Sequence, residues 1–518
     1  MAKTRGGAAR LSPADGNLPA LPPGSPVGAT VTEHYRQRRI MPPDVAGIRP
    51  IRKDSIAMTF SIGLSSPDIA SKRSAPPARP FQGVIPFGAV NAATGALTRA
   101  TAALLAKQHP TGYWCGELQG DSILESEYIL LRFILGQEHR PELPKMANYL
   151  RQIQNAEGGW SLFPGGPSDL SGTVKAYYAL KLLGDSANSP HLTRARQVIH
   201  RLGGAEKCNS FSKFYLTALG QMPWDACPSI PPEIVYLPKW CYFNLYHMSA
   251  WSRTMILPLA IVTTLKPTRN MPPHLSMAEL YVGKPEDAVL GKDVRGFPNT
   301  WRKFFLYLDR ILKVYDETPL RRLRNRAIDD AVQWLVGHME GCDGLGAIFP
   351  PMVYMLIVFN ALGYPADHPV VAKADKDLCD FFIEEGDTIR VQPCFSPVWD
   401  TGIALHALAE ARIDINSEPA RRATSWLLEK ECRVASDWQK NCPGATPAGW
   451  FFEFNNPQYP DTDDTAMVAM ALKRAGGEVA EPAVERGRQW LLAMQNDDGG
   501  WAAFDRTRSR PVLEQVPF

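Results

Sequence analysis

Residues 149–160 read Tyr-Leu-Arg-Gln-Ile-Gln-Asn-Ala-Glu-Gly-Gly-Trp, and residues 490–501 repeat the frame as Trp-Leu-Leu-Ala-Met-Gln-Asn-Asp-Asp-Gly-Gly-Trp. In both copies an aromatic residue stands five positions before the second or only glutamine, and that glutamine stands six positions before the final tryptophan. A helix that ends at a glycine loop, with a tryptophan returning after the loop, explains this spacing. Identical spacing in two distant copies indicates a repeated structural unit. Its defining residues are Gln154, Trp160, Gln495 and Trp501.

Three weaker copies keep only part of the unit. Their glutamine and tryptophan positions are held by Gln108 and Trp114 (with Ala103 in the aromatic position), by Met339 and Leu345 after Trp334, and by Glu431 and Trp438 after Trp426. We expect the glutamine amide to bind backbone groups left unpaired at a helix end, and the tryptophan to stack on that amide. The unit would then join successive helices.

The segments between these units favour helices. Residues 122–135 and 173–183 carry apolar side chains at helical spacing, and the alternation typical of strands is scarce. We therefore predict an all-α fold, with repeated helix pairs forming a barrel or a solenoid. A length of 518 residues favours two domains.

The composition excludes several classes of protein. A net charge of +3 with 21% charged residues gives no nucleic-acid footprint. The nine cysteines form no CxxC pair and follow no signal peptide, so we expect free thiols and no structural zinc. No apolar run reaches the roughly 18 residues that span a bilayer, although attachment to one face remains open. Residues 1–86, rich in Pro, Gly, Ala, Ser and Arg, are predicted to be disordered or a spurious extension.

Residues 461–466, Asp-Thr-Asp-Asp-Thr-Ala, place three carboxylates ahead of a run of helix formers. Pro457 and Pro460 predict a loop before them, so the acids should lie at a helix N-terminus. One or two acids there are usually caps. Three acids that were buried together could not all ionise, and the proton they share would make one of them a candidate Brønsted acid.

Residues 301–315 predict an amphipathic helix with basic residues beside its apolar face. Packing on the core is one interpretation, and a helix lying in a membrane interface with its aromatic side down is the other. The apolar face comprises Trp301, Phe304, Phe305, Leu308, Ile311, Leu312 and Tyr315.

Over residues 95–518 the chain resembles the bacterial squalene–hopene cyclases. The resemblance is carried by the acid stretch, the Gln–Trp units and residues 231–234, 396–402 and 449–454. The resemblance implies two α/α-barrel (toroid) domains around a large apolar cavity, squalene as substrate, hopene or hopanol as product, and no cofactor or metal. It also implies a homodimer attached monotopically to the cytoplasmic side of the inner membrane. The implied division is an N-terminal segment at 87–120 that packs on the catalytic domain, an inserted barrel at 121–393, and the first part of the catalytic barrel at 394–518. Relatives continue further and supply a histidine that supports the acid, so we expect this barrel to be incomplete.

The resemblance also assigns roles to individual residues. Asp463 would be the general acid, with Asp461 and Asp464 setting its protonation. Phe349 stands where some relatives carry Gln, and Lys175 where some carry Glu, which leaves the product open. The implied cavity residues are Trp399, Phe452, Trp251, Phe504, Ile348 and Pro350, with Asp400 and Tyr459 in support.

Three alternatives compete with an active squalene cyclase. A class II diterpene cyclase uses a similar acid motif, but the Gln–Trp units argue against it and no Asp-Asp-x-x-Asp is present to hold magnesium. An inverting glycosidase needs carboxylates roughly 6.5–9.5 Å apart, which adjacent acids among aromatics do not suggest. The third alternative is an inactive remnant, or one half of a split enzyme.

Overall fold

The computed structural model describes residues 87–290, 300–316, 321–506, 512 and 516; the predicted extension at 1–86 lies outside this part of the chain. The described residues are mostly helical, which confirms the all-α prediction. The helices are α1 (Phe87–Ala106), α2 (Ser122–Ile134), α3 (Leu143–Gln152), α4 (Leu170–Leu182), α5 (Pro190–Arg201), α6 (Ser210–Ala218), α7 (Ala250–Leu265), α8 (Thr300–Asp316), α9 (Arg321–Gly337), α10 (Phe349–Ala361), α11 (Pro369–Cys379), α12 (Pro397–Glu410), α13 (Glu418–Glu429), α14 (Thr462–Ala475) and α15 (Gly477–Met494).

Four of these helices were predicted from the sequence. Segment 122–135 forms α2, which begins after Asp121, whose side chain accepts from the Ile123 amide at 2.8 Å. Segment 173–183 lies in α4 but starts three residues late, because Asp169 caps the helix ahead of its apolar run. The acid stretch opens α14, and residues 301–315 lie within α8.

A short antiparallel hairpin was missed. Strands β1 (Phe382–Glu385) and β2 (Thr388–Val391) pair with Glu385 opposite Thr388, so Gly386 and Asp387 form a two-residue turn. Gly386 has φ = +64°, a conformation that glycine adopts without strain. Gly-Asp between two short apolar segments is a hairpin signal, and it was available in the sequence.

Two large hydrophobic clusters hold the helices together. The first contains only residues between Leu124 and Val391. The second joins Trp114 to residues between Val398 and Ala483, with Leu104 and Leu105 packed against it. The segment before residue 121 thus shares a core with the chain after residue 394. The division at 87–120, 121–393 and 394–518 would produce this arrangement, and we retain it as a proposal.

The Gln–Trp unit joins a helix end to the next helix through hydrogen bonds. The Trp160 indole N–H donates to the carbonyl of Leu150 in α3 at 2.9 Å. Gln154 Nε2 donates to the carbonyl of Gly158 at 2.7 Å and to that of His191, in the first turn of α5, at 2.9 Å. The amide therefore ties the glycine loop to the following helix. The prediction that it binds unpaired backbone groups at the end of its own helix was wrong, because the Trp160 indole binds the carbonyl there.

Other copies repeat the indole bond at the same place. In each of these copies the indole N–H donates to the carbonyl of the residue that follows the aromatic position of the unit. The pairs are Trp114 with Leu104, Trp450 with Leu427 and Trp501 with Leu491, each at 2.7 Å. The prediction that Trp438 completes the unit begun at Trp426 was wrong, since Trp450 makes that bond. The intervening loop contains the 3₁₀ helix Asp437–Lys440 and so hides the spacing. Trp438 packs edge-on against Trp490 instead, with ring centroids 5.8 Å apart.

We predict that Trp160→Phe lowers the free energy of unfolding by about 1–3 kcal/mol, because a buried carbonyl loses its donor. Urea unfolding of the whole chain measures the change. Trp501→Phe is the matched control: it loses the same bond, but its side chain is 47% exposed, so water replaces the donor and the loss should stay below about 1 kcal/mol. Equal losses at both positions would contradict a specific role for the buried indole bond.

Candidate active site

The start of α14 is fixed by the tryptophan that precedes it. The Asp461 amide donates to the Trp450 carbonyl at 2.9 Å, and the Trp450 amide donates to Thr465 Oγ1, also at 2.9 Å. The Asp461 carboxylate caps the helix by accepting from the Asp464 amide at 2.7 Å. The acids therefore lie where the Gln–Trp unit places the first turn of α14.

The first turn of α4 has the same hydrogen bonds but lacks the two additional carboxyl groups. There the Asp169 amide donates to the Trp160 carbonyl at 2.7 Å, the Trp160 amide donates to Thr173 Oγ1 at 3.1 Å, and Asp169 caps the Gly172 amide at 2.7 Å. Asp461 corresponds to Asp169 and is an ordinary cap of the unit. The positions of Ser171 and Gly172 are taken by Asp463 and Asp464. These two carboxyl groups distinguish the acid turn from its structural counterpart.

The three acids differ in burial. Asp461 and Asp464 are buried, the latter with 1% of its surface exposed, whereas Asp463 is exposed. The condition that all three be buried together is therefore not met. Burial raises the pKa of Asp464 far above the usual range of an aspartate, and the neighbouring carboxyl of Asp461 raises it further. Burial also raises the pKa of Asp461, while its hydrogen bond with Asp464 opposes the shift. The buried pair thus retains a proton at neutral pH.

A fourth carboxyl group, Glu453, was missed by the sequence reasoning. It is buried, and burial raises its pKa to about 8. Asn456 Nδ2 donates to Glu453 Oε2 at 3.1 Å, and the charge of Glu453 also raises the pKa of Asp464. The available signal was an acid inside the apolar run Phe451-Phe452-Glu453-Phe454. Glu453 extends the acid cluster into the protein interior.

An aromatic pair lies at the same end of the helices as the acids. The rings of Trp399 and Phe452 are 6.4 Å apart, and both side chains are half-buried. The Val398 amide, in the first turn of α12, donates to the Phe452 carbonyl at 3.3 Å, two residues after Trp450 binds the start of α14. Helices α12 and α14 also pack closely where Gly402 faces Val468. The segment 450–452 therefore brings this pair and the acid turn together.

A second aromatic pair is connected to the acid turn through the backbone. Trp251, near the start of α7, and Phe504 have ring centroids 5.2 Å apart. The Thr462 amide donates to the carbonyl of Ala503 at 2.8 Å, and Thr462 Oγ1 donates to that of Ala502 at 3.0 Å. The acid motif itself thus holds the segment that carries Phe504.

The two predicted supporting residues, Asp400 and Tyr459, make different contacts. Asp400 accepts from the Gly116 amide at 2.7 Å and from Ser396 Oγ at 2.8 Å, so it fastens the N-terminal segment to α12. Tyr459 is buried, its hydroxyl lacks a hydrogen-bond partner in the structure, and burial raises its pKa. Its ring lies 5.9 Å from that of His338.

The remaining predicted cavity residues lie at the start of α10. Ile348 occupies the N-cap position and Pro350 the first turn, on either side of the fully buried Phe349. The Phe349 amide donates to the Pro393 carbonyl at 2.9 Å. The role of Ile348 and Pro350 in lining a cavity stays a prediction.

Lys175, the other departure from the family pattern, has a buried partner. Its ammonium lies 2.5 Å from Glu127 Oε1, and Tyr215 donates to Glu127 Oε2 at 2.9 Å. All three side chains are buried. A buried lysine requires such a counter-charge, and the carboxylate of Glu127 is occupied by these two donors.

Helix α8 presents a different face from the predicted one. Phe305, only 4% exposed, packs edge-on against Phe243, so its assignment to a membrane-facing surface was wrong. Asp309 anchors the same side by accepting from the Ser229 amide at 2.8 Å. Leu308 is half-buried. The exposed apolar stripe consists of Trp301, Phe304, Tyr307, Ile311 and Val314. Across the described ranges, no helix combines the length and apolarity needed to cross a bilayer.

Comparison with known proteins agrees with this geometry. The squalene-hopene cyclase N-terminal domain matches residues 97–387, and the squalene-hopene cyclase C-terminal domain matches residues 395–518. A squalene–hopene cyclase of Bradyrhizobium diazoefficiens is 39% identical over 428 residues, covering 82% of this chain and 65% of that protein. One from Alicyclobacillus acidocaldarius is 34% identical over 426 residues, covering 82% and 67% respectively.

A solved ent-copalyl diphosphate synthase from Streptomyces platensis aligns over 79% of this chain and 84% of its own at 15% identity, with a TM-score of 0.18 that is too low to inform the fold. The chain spans 65% of the length of the Bradyrhizobium relative, and both cyclase domains are matched. The chain belongs to the squalene–hopene cyclase family.

Proposed function

We propose that this chain is a triterpene cyclase in which Asp463 protonates a terminal double bond of squalene and starts its cyclisation to hopene or hopanol. One observation carries the proposal: the exposed carboxyl of Asp463 lies in the same helical turn as two buried carboxyl groups, Asp461 and Asp464, whose pKa values are raised by burial. The names of the relatives support squalene as the substrate.

The first chemical step of the proposed reaction is a proton transfer from the acid turn. An isolated olefin is a very weak base, so its acid must be strong and must still carry a proton. In this proposal Asp463, in the first turn of α14, donates that proton, and Asp464 and the capping residue Asp461 lie beside it in the chain. Transfer breaks the Asp463 O–H bond, forms a C–H bond and leaves a tertiary carbocation.

The aromatic pairs suit the carbocation that this proton transfer creates. A carbocation in a hydrocarbon has no hydrogen-bonding group, and aromatic faces stabilise a cation by roughly 0.5–2 kcal/mol each without a lone pair that would trap it. Trp399 with Phe452, and Trp251 with Phe504, supply such faces near the acid turn. Loss of a proton from the last cation gives an alkene, and addition of water gives an alcohol.

We predict that Asp463→Asn removes essentially all cyclisation while the melting temperature stays within a few degrees of wild type, because an exposed carboxyl contributes little to packing. Gas chromatography of extracts after incubation with squalene in detergent measures the products. Glu478→Gln, an exposed acid in the first turn of α15, is the matched control and should retain activity. Near-native turnover in Asp463→Asn would contradict the assignment, as would the absence of cyclised product from the wild-type chain.

We also propose that the exposed stripe of α8 rests in a membrane interface. Five apolar side chains follow one side of the helix, and Phe305 and Asp309 fix the opposite side to the protein. Exposed Arg302 and Arg310 flank the stripe and suit anionic lipid headgroups. An enzyme with an insoluble hydrocarbon substrate gains direct access to it there. A homodimer on the cytoplasmic side of the inner membrane remains a prediction from the resemblance.

The double variant Trp301→Glu/Phe304→Glu should lower binding to anionic lipid vesicles by at least tenfold, since burying each side chain is worth roughly 1.5–3 kcal/mol. Co-sedimentation with vesicles measures the bound fraction. Leu162→Glu/Phe163→Glu changes two equally exposed apolar residues in the loop after Trp160 and should leave binding unchanged. Equal losses of vesicle binding in the two double variants would contradict the proposal that α8 binds the membrane.

A further inference from the structure

A buried guanidinium connects α7 to the segment that follows α15. Arg253 has no exposed surface, and its Nη2 donates to the buried carboxylate of Asp505. Its Nη1 lies 3.5 Å from Asp437 Oδ2, and its Nε donates to the Leu245 carbonyl at 3.3 Å. A charge taken fully out of water is tolerated only with such partners. Arg253 thus links a helix of the first core to two acids of the later chain.

The two partners of this ion pair are neighbours of the second aromatic pair. Trp251 precedes Arg253 by two residues on α7, so the two side chains lie on nearly opposite sides of the helix. Phe504 immediately precedes Asp505 in a segment without regular structure. Consecutive residues of this segment therefore contact α7 at two places: Phe504 lies against Trp251, with 5.2 Å between ring centroids, and Asp505 binds Arg253.

The same segment is held from the acid motif. Thr462 binds the carbonyls of Ala502 and Ala503, and Asp505 is the next anchored side chain along the chain. Residues 502–505 are therefore fastened at one end to the acid turn and at the other to α7. No helix or strand includes these residues, and the next residue, Arg506, is paired with the exposed Asp497 at 2.8 Å.

We propose that Arg253 and Asp505 are positioning residues that fix Phe504 against Trp251 and so set the shape of the aromatic wall beside the acid turn. This inference rests on the proposed function. A folded polyene is guided through successive ring closures by the wall around it, and a displaced wall releases the cation early. Loosening the ion pair should then change which products form, in addition to how much forms.

The first test uses product ratios from squalene, which do not depend on the amount of folded enzyme. Asp505→Asn, close in shape to wild type, and Arg253→Lys, which keeps the charge but loses the planar fork, should raise the ratio of incompletely cyclised to pentacyclic products on the order of tenfold. Phe504→Leu should give the same pattern. The double variant Phe504→Leu/Asp505→Asn should be no worse than Phe504→Leu alone, since both changes act through one contact.

Arg324→Met is the matched control, because it breaks another largely buried arginine pair, 3.2 Å from Glu233 and 3.0 Å from Asp316. It should lower the melting temperature and leave the product ratio unchanged. An unchanged ratio in Asp505→Asn and Arg253→Lys, with only a lower melting temperature, would reduce the ion pair to a structural role and overturn the inference.

Hydrogen exchange tests the positioning without any catalysis. Backbone amides of residues 502–506 should exchange on the order of tenfold faster in Asp505→Asn than in wild type, and at the wild-type rate in Arg324→Met. Unchanged exchange at 502–506 in Asp505→Asn overturns the inference whatever the activity. If the wild-type chain forms no cyclised product, the proposed function fails, and the exchange rates still decide whether the ion pair holds this segment.

Discussion

The hydrogen bond from the Trp450 indole to the Leu427 carbonyl determines where the acid turn begins. It places a tryptophan at the end of α13, and that tryptophan's backbone then binds both Asp461 and Thr465 of α14. Two residues later, the carbonyl of Phe452 accepts a hydrogen bond from the amide of Val398 at the start of α12. One buried indole thus aligns two helix starts and one aromatic pair. The equivalent hydrogen bonds at Trp160 show that the same arrangement joins α3 to α4.

The acid turn shares this arrangement and differs from the start of α4 in the residues after the cap, where Thr462 also replaces Leu170. The cap, the threonine and the tryptophan are the same at α4 and α14, and the added features are two carboxyl groups at the positions of Ser171 and Gly172. Keeping Asp464 protonated costs stability. The unfolded chain releases this proton above about pH 4 and the folded chain keeps it, so the contribution of the group to stability falls as pH rises. Such a cost at one turn is typical of a site kept for chemistry.

Local rules predicted much of the local structure, although the hairpin around Gly386 and Asp387 was missed despite its local signal. Helices α2, α8 and α14, the Gln–Trp unit and the position of the acids all followed from periodicity, capping residues and spacing. Features that depend on distant contacts did not. Periodicity placed Phe305 on an apolar face but could not tell which apolar side chains the rest of the chain covers. The loop containing Trp438 concealed the role of Trp450. The Arg253–Asp505 pair joins residues 252 positions apart, and no local pattern marks it.

That the buried pair keeps a proton beside Asp463 is tested most directly by infrared difference spectroscopy of the carboxylic-acid C=O stretch. The measurement compares the wild-type chain with Asp464→Asn at about pH 8, roughly four units above the ordinary pKa of an aspartate. Deuterium oxide identifies the acid band by its shift. Because burial raises the pKa of Asp464, we predict a protonated-acid band in wild type that is lost in the variant. Identical acid bands in the two proteins would show that Asp464 is ionised and would contradict this view of the acid turn.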